Sequence, residues 1–248
     1  MTFLRAVLWD MDGTLIDSEE YHWLSWRDTL LAWGITITHA QFLSTFGMRN
    51  DEIVAQWLGT PSPDVLERIA TSKEERYRKL VCEQGIKPLP GVVQWVSQLH
   101  EQGWLQAIAT AAPRKNVDVI LEALSATHCF QAIVSAEDVQ QGKPDPEVYF
   151  KAAGRLGVPP AHCIVIEDAA AGIEGAKEAG MRSIGISRNG QQLPADIVVR
   201  SLDLLGTDAL EALGSGSLGT GNGPAAARIT SGLALAKEEL SGPINGLR

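Results

Sequence analysis

The chain has 248 residues, 30 acidic and 21 basic, and a formal charge of −9, a balance that argues against nucleic acid or an anionic membrane as partner. Its cysteines, Cys82, Cys129 and Cys163, are odd in number and form no CxxC pair, which indicates neither a disulfide framework nor a zinc site and fits a reducing cytoplasm. No apolar run nears the ~20 residues of a membrane span, and Asp10 falls where a signal peptide would need its apolar stretch.

Phe3 to Trp9 is an almost unbroken apolar run, the pattern of a central parallel strand covered on both faces. From Glu19 to about Gly85 the periodicity is helical. Trp23, Trp26, Leu30 and Trp33 recur at helical spacing. A second helix is expected around Ile53, Val54 and Trp57. A third, long one carries Val65, Ile69, Tyr77, Leu80 and Val81. After the loop Lys87 to Gly91 helices and strands alternate. Helices are predicted over Val92 to Glu101, Asn116 to Leu124, Pro146 to Leu156 and Ala170 to Ala179. Strands are predicted over Leu105 to Ala109, Ala132 to Val134, Cys163 to Ile166, Ser183 to Ile186 and Ile197 to Val199. Such alternation means βαβ units and a parallel sheet, with all strand carboxyl ends on one edge. The expected fold is therefore α/β: a Rossmann-like core over 1–16 and 87–213, with an inserted α-helical cap over 17–86. A flexible Gly/Ser-rich tail is expected over 214–248, with one or two weakly amphipathic turns at Leu233 to Leu240.

The chemistry concentrates at predicted strand ends. Asp10 ends the first strand and Asp12 follows two residues on, before Gly13 and Thr14. An isolated DxD is commonly a solvated turn. Here other strand ends change the balance. Thr110 follows one strand and precedes the small Ala111 and Ala112. Lys143 lies in QGKPDPEVY. Glu167 and Asp168 end another strand before small residues. Together they supply acids for a divalent ion, and a lysine and a hydroxyl for a phosphate. That set suits phosphoryl transfer, where catalysis is mostly positioning and charge neutralisation.

The stretches DMDGTLID, ATAAP, GKPDPEVY and VIEDAAAGIEGAKEAGM occur in order and resemble the four motifs of the haloacid dehalogenase-like superfamily of phosphatases and phosphomutases. The resemblance covers about residues 5 to 213. The helical segment resembles the cap of the subfamily of β-phosphoglucomutase and small sugar-phosphate phosphatases. The resemblance implies that Asp10 is the nucleophile, forming an aspartyl-phosphate, and that Asp12 is the general acid and then the base. It implies Mg²⁺ held by Asp10, Asp168, Glu167 directly or through water, and the Asp12 main-chain carbonyl. Thr110, Lys143 and the Ala111 amide would hold phosphoryl oxygens.

In the cap, His22 and Trp26 lie i and i+4. His22, Arg49 and Lys73 resemble a histidine near the acid/base aspartate, an arginine for a distal phosphate and a cleft lysine. Trp26 suits core more than contact, and Lys73 suits a solvated charge equally well. Asp17 to Glu19 resembles phosphatase members, and the loop Ala109 to Asn116, with Pro113, looks longer than its mutase counterpart. Ala169 stands where many members have serine, and Trp9 where phenylalanine is usual. The expected protein is a cytoplasmic, monomeric Mg²⁺-dependent phosphatase of a small phosphorylated metabolite, a sugar phosphate. Its rivals are a β-phosphoglucomutase and a non-catalytic sensor of a phosphorylated ligand.

Overall fold

In a computed structural model, which describes residues 5–214, six strands form one wholly parallel sheet. They are β1 (Ala6–Trp9), β2 (Leu105–Ala109), β3 (Ala132–Val134), β4 (Cys163–Glu167), β5 (Arg182–Ile186) and β6 (Ile197–Val199). Their order is β3-β2-β1-β4-β5-β6. β1 is central, with Trp9 opposite Ile108 on one side and Ile166 on the other. The chain steps outward from β1 to β3, then returns past β1 to form β4. That reversal opens a crevice at the carboxyl ends of β1 and β4, the place where open α/β sheets bind ligands. Phe3 and Leu4, expected in the first strand, and the expected tail turns at Leu233 to Leu240 lie outside the described residues. So does the expected tail apart from Gly214, which ends a helix.

Nine α-helices are described: α1 (Glu19–Ala32), α2 (His39–Leu43), α3 (Asn50–Leu58), α4 (Pro63–Gln84), α5 (Val92–Glu101), α6 (Arg114–Ala123), α7 (Glu147–Leu156), α8 (Ala170–Glu178) and α9 (Ala209–Gly214). Helices α5, α6 and α9 cover one face of the sheet, meeting Val7, Trp9, Ile108, Ile164, Ile166, Ile184 and Ile186. Helices α7 and α8 cover the other, where Ala6, Ala107, Ala109, Ala132, Ala152, Ala153, Ala176 and Ala179 predominate. Side chains alternate between faces along a strand. The small face lets α7 lie close to β1, β2 and β3, which brings the loop before it near the crevice.

Helices α1 to α4 have an apolar cluster of their own, built on Trp26, Leu30, Ile37, Phe42, Ile53, Val54 and Ile69. Of the expected tryptophan stripe, Trp26 and Leu30 are buried and Trp23 is only partly so. Trp33 is the C-cap, outside α1. Tyr77 and Val81, further along α4, join the cluster of the sheet instead. The chain passes between the helical segment and the sheet twice, side by side. Ile16 bridges both Asp12 and Pro88, and the Leu89 amide donates to the Leu15 carbonyl at 3.0 Å.

Trp9 fits its strand by reaching across to a polar neighbour. Its Nε1 donates to Gln106 Oε1 at 3.0 Å, and Gln106 Nε2 donates to the Val96 carbonyl at 3.0 Å, with Gln106 fully buried. Trp9→Phe leaves both a void and an unpaired buried amide oxygen, so it should cost about 2–3 kcal/mol, read as an earlier denaturant midpoint at unchanged slope.

Candidate active site

β1 ends at Trp9, but the Asp10 amide still donates to the Ile166 carbonyl at 3.0 Å. The main chain therefore stays in the sheet for one more residue, and Asp10 emerges at its carboxyl edge. The chain then turns sharply, with the Thr14, Leu15 and Ile16 amides all directed at the Met11 carbonyl. Gly13 makes this possible. Its φ is +85°, and a Cβ there would lie 2.1 Å from Asp168 Oδ2. Only a residue without a side chain lets Asp168 come so near.

Asp10, Glu167 and Asp168 offer carboxylate oxygens all within 4.8 Å of one another. Lys143 Nζ donates to Asp10 Oδ1 and to Glu167 Oε2, each at 2.6 Å. Glu167 also accepts from the Tyr149 hydroxyl at 3.1 Å and from the Asp168 and Ala169 amides, both at 3.1 Å. Gly172 gives this carboxylate its room, since a Cβ there would lie 2.1 Å from Glu167 Oε2. One ammonium does not balance three crowded acids. Burial first, and then repulsion by Glu167 and Asp168, push Asp10 well above the usual carboxylate range despite Lys143. Burial and the Glu167 charge raise Asp168 to about 8. The donors are oxygens only and carry surplus negative charge, so the set fits a hard divalent cation such as Mg²⁺.

Asp12 has different support, all of it from outside the sheet. Its Oδ1 accepts from Ser18 Oγ at 2.5 Å and lies 3.1 Å from His22 Nε2 and 3.5 Å from the Tyr77 hydroxyl. The His22 ring stacks on Tyr77, with centroids 4.2 Å apart. Burial works to raise Asp12, but His22, Ser18 and the Lys73 charge outweigh it and hold the carboxyl below its ordinary value.

Lys73 is buried, and it donates to Glu74 Oε1 at 2.7 Å. Its Nζ also lies 2.9 Å from His22 Nδ1. The solvated charge open to it in sequence is thus part of the interior. Trp26 is buried in the helical segment, with its ring centroid 5.3 Å from the Lys73 ammonium. Arg49 crosses to the core, donating from Nη1 to the Ala136 and Val139 carbonyls at 3.3 and 3.1 Å, and pairs with Asp51. Thr110 follows β2, its amide bonded to the Val134 carbonyl and its Oγ1 accepting from the Ala112 amide at 3.1 Å. All ten side chains singled out in sequence border one cleft: Asp10, Asp12, His22, Trp26, Arg49, Lys73, Thr110, Lys143, Glu167 and Asp168. Ala111 borders it too.

Residues 7–186 match the family of haloacid dehalogenase-like hydrolases. The chain belongs to that family. Hexitol phosphatase B of Escherichia coli (strain K12) is 35% identical over 191 residues, 73% of this chain and 82% of the relative. The β-phosphoglucomutase of Bacillus subtilis (strain 168) is 32% identical over 204 residues, 79% of this chain and 89% of the relative. The crystal structure of CbbY from Rhodobacter sphaeroides in complex with phosphate superposes with a TM-score of 0.76 at 29% identity, covering 84% of this chain and 100% of that one. As a haloacid dehalogenase-like hydrolase, the chain is a phosphatase or a phosphomutase by kinship.

Several groups of this haloacid dehalogenase-like site escaped sequence reasoning: Ser18, the Tyr77 hydroxyl, Glu74, Asn116 and Tyr149. One signal was available. Ile69, Lys73 and Tyr77 fall four residues apart, so Lys73 lies on the buried stripe of α4 rather than its charged face. Ser18 and Asn116 carry no such signal: Ser18 meets Asp12 across a turn with no repeating period, and the partners of Asn116 are distant in the chain. Glu74 accepts from Lys73, Asn50 and Asn116. Burial opposes its charge, but Lys73, His22 and Asn116 hold it at about 2, against 4.5 for an ordinary glutamate. A depressed folded value stabilises the protein above the unfolded one and is lost in acid. Stability should therefore fall by about 3 kcal/mol between pH 4.5 and 2 through Glu74 alone. Acid titration of stability in wild type and Glu74→Gln, which lacks that contribution, checks this.

Proposed function

We propose that the protein is a Mg²⁺-dependent phosphatase of a small phosphorylated metabolite of the sugar-phosphate class. One observation carries the reading. Two acids two residues apart have opposite surroundings: Asp10 sits in a carboxylate cluster with Lys143, whereas Asp12 is held by Ser18, His22 and Tyr77. Separate environments suit separate roles in one reaction.

In this reading the Asp10 carboxylate attacks phosphorus, forming an O–P bond as the ester P–O bond breaks. Asp12 gives its proton to the departing oxygen. It then takes a proton from water, the step its surroundings favour, as that water displaces Asp10 and frees inorganic phosphate. Lys143, the Thr110 hydroxyl and the Ala111 amide hold phosphoryl oxygens. Asp10, Glu167, Asp168 and the Asp12 carbonyl would hold Mg²⁺, which supplies charge neutralisation for the phosphoryl group. The segment 17–86 acts as a cap, with Arg49 and His22 facing the rest of the substrate and limiting water.

The second reading is a β-phosphoglucomutase, in which a sugar hydroxyl rather than water accepts the phosphoryl group. It is favoured by the Bacillus subtilis relative. Incubation with β-glucose 1-phosphate, Mg²⁺ and a trace of glucose 1,6-bisphosphate separates the two. The hydrolase reading expects free phosphate from members of a sugar-phosphate panel, and glucose 6-phosphate as the product would replace it with the mutase. Chelation of Mg²⁺ should abolish release. Asp10→Asn should lower turnover about a thousandfold or more while the protein stays folded. Retained turnover in that variant overturns the mechanism, whereas no phosphate release by wild type from any ester reopens the sensor reading.

A further inference from the structure

We propose that Glu74 is a positioning residue for Asp12, acting through Lys73 and His22. The role rests on Asp12 being the acid–base group of the proposed reaction. The argument begins at Lys73, whose buried Nζ lies 2.9 Å from His22 Nδ1 and 2.7 Å from Glu74 Oε1. A lysine ammonium has three hydrogens and no lone pair. His22 Nδ1 therefore accepts, and the ring proton belongs on Nε2, 3.1 Å from Asp12 Oδ1. Of the two neutral tautomers, only that one lets His22 donate to Asp12, beside the bond from Ser18. With Lys73 displaced, the proton is free to move to Nδ1, and Nε2 would then turn a lone pair toward the carboxylate.

Glu74 keeps Lys73 in place. Its side chain is 7% exposed and that of Lys73 is 3% exposed, so the pair is held by charge in a dry setting where losing one partner is costly. Glu74 is itself tied from two sides. Asn50, opening α3, donates at 2.8 Å, and Asn116 of the core helix α6 donates to the other carboxylate oxygen. Arg78 of α4 in turn donates to Asn116 Oδ1 at 2.9 Å. The chain of contacts runs from α6 through Glu74, Lys73 and His22 to Asp12. The acid–base group is aligned only while the helical segment and the core meet at Asn116.

Glu74→Gln keeps the shape and removes the charge. In ¹⁵N-histidine-labelled wild type, long-range ¹H–¹⁵N spectra should show His22 protonated at Nε2, with the signal assigned by its loss in His22→Asn. In Glu74→Gln the Nδ1-protonated form should appear. On the best substrate of the sugar-phosphate panel, kcat should fall about ten- to a hundredfold with KM changed less than about threefold. Glu74→Asp, which keeps the charge, should recover part of the loss. An unchanged tautomer in Glu74→Gln, or an unchanged kcat, overturns the proposal. If Glu74→Gln fails to fold, Asn116→Ala loosens the same carboxylate and is read by the same two measurements. The tautomer can be read without turnover. A protein inactive on every phosphate ester therefore overturns the hydrolase reading while the spectra still decide on Glu74.

Discussion

Three carboxylates share one sheet edge with a single ammonium, and much of the molecule is arranged around that imbalance. Asp10 and Glu167 continue two adjacent parallel strands whose register sets Trp9 against Ile166, so their proximity follows from the sheet itself. Lys143 can reach both because the alanine-rich face lets α7 lie close and delivers the loop before it. Gly13 and Gly172 are needed because Asp168 and Glu167 occupy the space of their missing side chains. Carboxylates held this closely need either a proton kept on one of them or a cation among them. The fold thus spends stability on a site that a divalent ion and a phosphate would complete.

Asp12 obeys a different constraint. It is covalently part of the core, yet among the described residues the side chains hydrogen-bonded to its carboxylate come from residues 18–77. The pieces of the site are therefore divided between two bodies of the chain. The carboxylate cluster is built on the sheet, and the grip on the Asp12 carboxylate is brought by Ser18 and by helices α1 and α4.

The sheet was legible because its strands are short apolar runs between turn residues, and the carboxyl-edge residues followed from where those runs stop. Helices α2 and α9, of five and six residues, are too short to show a period and were not foreseen. The charged run from Lys73 to Arg76 leaves a solvated face as open a reading as a cleft lysine. Yet α4 turns its first two members inward, where each neutralises the other, and composition does not report pairing. The hydroxyls of Ser18, Tyr77 and Tyr149 were illegible for a related reason. What sets them apart is a carboxylate that the fold brings within hydrogen-bonding reach, and nothing in their own type or spacing marks it.

The bridges of Ile16 to both Asp12 and Pro88 have a mechanical consequence. Outgoing and returning chains are fastened together there and by the adjacent bond from the Leu89 amide to the Leu15 carbonyl. Ile16 is also bridged to Asp12, so the residue whose carboxylate the helical segment grips is itself part of the strap that ties that segment to the sheet.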